Sequence, residues 1–136
     1  MLSVFSFRGT GTAMIVLLGA FVVFHVLVLA RVVPHGIVWG GRIDDRGRLM
    51  RMEAVSIAML LASGVLVVWH LQTGGAGGPG LFSSVGMWVL VALFALNTVG
   101  NIVARTPLER FAFTPVTLLL AVMAMRLALE RTLAGG

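Results

Sequence analysis

The sequence predicts an all-α membrane protein: four transmembrane helices in an antiparallel bundle, forming one domain over residues 1–136. Three observations lead there. Apolar residues fill 59% of the 136 positions and charged residues only 11%, where an average soluble domain has about 25% charged. Four apolar runs, over about 12–33, 50–72, 81–104 and 113–131, are each long enough to cross a hydrocarbon layer of about 30 Å. The stretches between them are too short to bury a soluble core, so no extramembrane domain is expected.

Arg8 ahead of an apolar run could be read as a signal peptide. Residues 9–30 are uncharged and would make about 33 Å of helix, and the end Val28-Leu29-Ala30 lacks a small residue at the third position back, so an uncleaved anchor is expected. Pro34 and Gly36 should stop this first span. The loop from His35 to Met50 is polar, with Trp39 suited to a head-group level and Asp44 or Asp45 available to cap the next helix.

The second span is the one around which the others are arranged. Glu53, Ser56, Leu60, Ser63, Val67 and His70 follow a helical repeat that puts them on one face, and Met59, Leu61, Val65, Leu66 and Val68 fall opposite. The first face should meet other helices and the second should meet lipid. The glycine-rich stretch 74–80 is a short uncharged linker to the third span. In that third span, Asn97 and Asn101 stand four apart, and Gly100 with Ala104 would let another helix approach closely.

Thr106-Pro107-Leu108-Glu109 reads as a capping box with proline at the first helical position. Thr114-Pro115 repeats the arrangement, so a short interfacial helix over about Pro107 to Ala112 should precede the fourth span; the alternative is one helix kinked at Pro115. Only fifteen uncharged residues separate Arg110 from Arg126, so the fourth span must run past Arg126, which should snorkel outward beside Glu130. Thr114, Thr117, Ala121, Ala124 and Ala128 make a small-residue face for packing against helices.

All ten basic residues are arginine, a usage that suggests a GC-rich bacterial genome. Across four spans, Arg8, Arg126 and Arg131 lie on one side, and Arg31, Arg42, Arg46, Arg48, Arg51, Arg105 and Arg110 on the other. The positive-inside rule puts the richer side in the cytoplasm, hence a multi-pass protein of the bacterial inner membrane with both termini periplasmic. The net charge of +5 is expected to meet anionic lipid head groups at Arg42, Arg46, Arg48 and Arg51, and no nucleic acid, since no aromatic-rich basic surface is available to read bases.

The absence of cysteine excludes thiol redox chemistry, thiolate metal sites and disulfides. No metal-ligand spacing emerges and no cofactor is expected. His25 and His70 fall in opposite halves of the bilayer, too far apart to share a haem iron. Gly9-Thr10-Gly11 follows no strand, so it is not a nucleotide fingerprint.

Counting helix rise from the inner arginines places His25, Ser56, Asn97, Asn101 and Thr117 between about 6 and about 12 Å deep in one layer. The plainer reading of this layer is interhelical glue, in a non-enzymatic bundle that acts as an accessory subunit of a larger membrane complex or as a homo-oligomer. The alternative is a small transporter or channel whose substrate-binding residues are His25, Glu53, Ser56, Asn97 and Asn101. Glu53, two residues from Arg51, is expected to sit at the interface beside an arginine, with burial as the alternative.

Four stretches, Trp39-Gly40-Gly41-Arg42, Arg51-Met52-Glu53-Ala54-Val55-Ser56, Leu96-Asn97-Thr98-Val99-Gly100-Asn101 and Phe113-Thr114-Pro115-Val116-Thr117-Leu118-Leu119-Leu120, together resemble a group of small four-helix bacterial membrane proteins. The resemblance implies the topology and no particular activity.

Overall fold

The computed structural model describes residues 6–39, 45–73 and 80–134. Four long helices account for most of them: α1 (Phe7–Leu29), α2 (Arg46–Thr73), α3 (Leu81–Ile102) and α4 (Thr114–Ala134). All four are long and apolar enough to cross a membrane, the fourth when counted from Leu108 to Glu130. No strand occurs among the described residues.

Helix α1 starts five residues before the expected Thr12, because the Ser6 hydroxyl accepts the Gly9 N–H at 2.9 Å and so caps the helix. It also ends earlier, at Leu29, and neither Pro34 nor Gly36 does the stopping. Arg31 takes a left-handed conformation (φ 63°), its N–H bonds the Val28 carbonyl at 3.0 Å, and the Val32 N–H bonds the Leu27 carbonyl at 2.9 Å. That is a Schellman motif with arginine where glycine is usual. A three-residue 3₁₀ turn, His35–Ile37, follows.

Asp45 caps α2 as expected, accepting the Gly47 and Arg48 N–H groups at 3.2 Å each. Asp44, Arg42 and the linker at 74–79 lie outside the described residues. On α2 the expected inner face is buried at Glu53, Ser63, Val67 and His70, whereas Leu61 (54% exposed) and Val65 (70% exposed) point outward. Leu66 departs from its expected place: it is half-buried, because Gly86 of α3 leaves room for its methyl groups.

The separate interfacial helix is not formed. The chain runs from Pro107 into α4 through a six-residue π-helical stretch, Leu108–Phe113, the alternative that lets one helix run through. Thr106 still acts as the cap. Its hydroxyl accepts the Glu109 N–H at 3.4 Å and donates to the Glu109 carboxylate at 2.6 Å. Pro115 explains the wide turn, since its ring would clash with the carbonyl four residues back and it has no N–H to offer. The Thr114 N–H reaches back five residues to Glu109 instead.

In packing, α1 lies chiefly on α2 and α3 chiefly on α4, whereas α2 and α3 meet only sparsely. Met14 and Leu18, Val67, Met87 and Phe94, and Leu120, Ala124 and Leu127 form one core from all four helices. Thr117, Ala121, Ala124 and Ala128 are buried, so the expected small face of α4 is the packed one. Arg126 is partly exposed and pairs with Glu130 at 3.7 Å.

Candidate functional site

The site begins with Glu53, which is fully buried and has no arginine partner among the described residues. The interfacial expectation is therefore corrected. Where α1 crosses α2, His25 is brought against it, and Nδ1 of His25 lies 2.6 Å from Glu53 Oε2. From the other side the indole N–H of Trp39 donates to Glu53 Oε1, also at 2.6 Å. Trp39 itself is left-handed (φ 55°), a conformation that costs a non-glycine residue about 1–2 kcal/mol. The chain between α1 and α2 thus holds a strained residue to cover a carboxylate, and such strain persists only where the surroundings enforce it.

Hydrogen-bond chemistry fixes part of the protonation. Trp39 Nε1 can only donate, so Oε1 accepts. One proton must lie in the short contact between Oε2 and Nδ1, on whichever atom holds it. The second ring nitrogen of His25, Nε2, has no partner among the described residues, and the side chain is 15% exposed.

That ring faces a cleft of about 520 Å³, partly open to the outside. Its walls come mainly from α2 (Arg51, Met52, Val55, Ser56, Met59, Leu60 and Ser63) and α3 (Leu93, Phe94, Asn97 and Asn101), along the seam where these helices barely touch. Phe21 and His25 of α1, Val38, Trp39, Glu109, and Phe113, Thr117 and Leu120 complete it. The lining is mostly apolar, with its polar groups converging from all four helices, Trp39 and the π-helical stretch.

Of the candidate residues, His25, Ser56, Asn97 and Asn101 share this cleft, together with Thr117 and Arg51. Glu53 does not line it but stands behind His25 and Trp39. The layer is only partly glue. Asn101 donates to the Thr117 hydroxyl at 3.2 Å, and Thr98 contacts the same hydroxyl at 3.1 Å, tying α3 to α4. Asn97, by contrast, is exposed and its amide has no partner among the described residues, so it does not serve as glue within the chain. Arg46, Arg48 and Arg51 are exposed at the start of α2.

Sequence reasoning missed the roles of Phe113 and Thr98 here, and the partners of His70 away from the cleft. The Phe113 ring stacks edge-on between Phe21 and Phe24 of α1, at 5.3 and 5.0 Å. Thr98, one position from Asn97, takes the buried place. His70 is fully buried, with Nδ1 3.2 Å from the Ser83 hydroxyl and Nε2 3.2 Å from the Leu127 carbonyl, joining α2, α3 and α4. No group of three or more His, Asp or Glu among the described residues is placed to hold a metal ion. Neither a protein-family model, nor a curated protein, nor a solved structure matches this chain.

Proposed function

We propose that this chain is a multi-pass protein of the bacterial inner membrane that binds a small amphipathic molecule in the cleft between α2 and α3, as a transporter or carrier and not as an enzyme. The cleft supports this best. Its volume of about 520 Å³ falls within the roughly 300–1,000 Å³ of small-molecule sites, and like them it has apolar walls with a few converging polar groups. The Asn97 amide, without a partner among the described residues, is what a purely structural layer would avoid and a binding site would keep.

The outer surface supports a lipid surrounding. Val65 is 70% exposed, Leu96 71% and Phe111 75%, and a soluble monomer rarely carries apolar exposure on this scale. Contact of Phe7 with His70, at 5.8 Å between ring centroids, and of His25 with Glu53 supports an antiparallel course for α1 and α2. The arginine asymmetry favours an Arg51 end in the cytoplasm and periplasmic termini. A reporter fused after Gly136 that works only in the cytoplasm would contradict that orientation.

The test of binding is photo-crosslinking with a diazirine-bearing alkyl probe in lipid nanodiscs. Label should concentrate on Met52, Met59, Leu93 and Asn97 and be competed by excess unlabelled probe. Diffuse labelling of outward residues such as Leu61 and Val65, without competition, would contradict it.

A second reading, a subunit of a homo-oligomer or larger membrane complex, has its own observation. An added side-chain carbon at Gly100 would meet nothing within 4 Å, so among the described residues this position of α3 is open to another helix, although Ala104 lies past the helix end at Ile102. Energy transfer between differently labelled copies in one bilayer, lost in Gly100→Leu, would support it. Its absence at high protein density would remove it.

A further inference from the structure

Resting on the binding reading above, we propose that the cleft takes an amphiphile with an anionic oxygen head group, held by His25 Nε2, and that binding adds one proton to the His25–Glu53 pair.

Glu53 cannot meet a ligand itself. It has no exposed surface, and its two oxygens are occupied by Trp39 and by His25 Nδ1. His25 can, because it lines the cleft and its Nε2 is unpartnered among the described residues. With one proton shared between them, His25 and Glu53 together carry a single negative charge, and Nε2 is an acceptor. That state repels an anion. With one more proton the pair becomes a neutral ion pair, and Nε2–H becomes a charge-assisted donor facing the cleft. An anionic oxygen therefore selects the doubly protonated pair, and ligand and proton bind together.

The charged groups around His25 agree with this sign. From α2, Arg51 lines the cleft and has no acidic partner among the described residues. From the segment before α4, Glu109 also lines it, with its carboxylate engaged by the Thr106 hydroxyl. Helix α3 contributes only neutral groups, Asn97 and Asn101, and the Asn97 amide, unpartnered among the described residues, offers a second donor to the head group. Met59, Leu60, Leu93 and Phe94 then form a trough for the alkyl chain.

The test uses Trp39 as reporter, in a Trp69→Phe/Trp88→Phe background, with the chain in phosphatidylcholine nanodiscs. The probe is an alkylsulfonate brominated at its terminal carbon, whose head group stays ionised throughout; alkyltrimethylammonium and alkanol analogues are the controls. Quenching by the sulfonate should saturate. Its dissociation constant should rise with pH, approaching tenfold per pH unit, the signature of one linked proton.

His25→Gln should bind more weakly and lose the pH slope. Asn97→Leu, which disturbs no bond among the described residues, should weaken binding several-fold and keep the slope. Competition by phosphatidylglycerol would support the same chemistry with bilayer lipid as its source; lack of competition alongside saturable sulfonate binding would support a free amphiphile. Preference for the ammonium or alkanol analogue, or a slope that survives His25→Gln, would overturn the anionic, proton-linked ligand and leave the cleft a binding site. Failure of all three probes to saturate would remove both proposals.

Discussion

Removing the Glu53 carboxylate is the perturbation with the clearest expected cost. In Glu53→Ala the indole N–H of Trp39 and the facing edge of His25 both lose their acceptor in a site where Glu53 has no solvent exposure. A buried donor left unsatisfied costs about 1–3 kcal/mol. Two of them give about 2–6 kcal/mol, and breaking one side of a buried ionic pair costs about 3–5 kcal/mol. The expected loss is thus about 4 kcal/mol.

Glu53→Gln should lose much less. Its carbonyl can still accept from Trp39, and its amide can donate to Nδ1 if His25 carries its proton on Nε2. Only charge assistance disappears, about 1 kcal/mol. Unfolding in mixed micelles, followed by tryptophan fluorescence, gives both values. A double-mutant cycle with His25→Ala should return a coupling of about 0.5–3 kcal/mol. A Glu53→Ala protein as stable as wild type, with an additive cycle, would refute the assigned bonding.

Four further variants test the frame around the site. Arg31→Gly relieves the left-handed residue at φ 63° and should gain up to about 1 kcal/mol in the same assay; a loss would mean that the arginine side chain holds the turn. His70→Ala opens a cavity and strips partners from Ser83 and Leu127, so a loss of about 2–4 kcal/mol is expected, read from the shift of the unfolding midpoint. Thr117→Val keeps the shape but leaves the Asn101 amide unpaired, for a loss of about 1 kcal/mol by the same measurement. Arg126→Leu removes only a long, exposed ion pair and should stay within about 1 kcal/mol of wild type; failure of that variant to insert or fold, seen as loss of monodisperse protein, would make Arg126 a structural partner.

Helical periodicity carried most of what could be read in advance. The buried face of α2 and the small face of α4 follow from residue spacing alone, because one helix turn relates their members. Four of the five proposed binding residues, His25, Ser56, Asn97 and Asn101, meet in one cleft because helix rise measured from the arginine ends already put them at similar depth. Spacing puts Glu53 on the correct face but does not identify the partners that bury it. Its contacts, His25 and Trp39, are 28 and 14 residues away in sequence, and local spacing says nothing about which loop folds back over which helix.

The left-handed Arg31 and Trp39 were illegible for a different reason. Nothing in an arginine or tryptophan announces positive φ, which tertiary contacts impose against residue preference. The π-helical stretch before Pro115 was half visible: the proline signalled a disturbed turn, but not whether the chain would break or widen there. Asn97 shows the limit of depth counting. Depth put it in the layer, yet its position beside the buried Thr98 turned it into the cleft, away from a partner.

The most direct test of a hydrated cleft at the α2–α3 seam uses the absence of cysteine from the chain, which makes any introduced thiol unique. Asn97→Cys and Ala124→Cys are compared for reaction with a small maleimide in nanodiscs, where only an ionised, water-exposed thiol reacts. Asn97 lines the cleft, so Cys at 97 should react readily and be protected by saturating amphiphile. At 124, where exposure is 0%, the thiol should stay unreacted. A thiol at 97 as inert as the one at 124 would mean that no water reaches the cleft and would contradict the account at its centre.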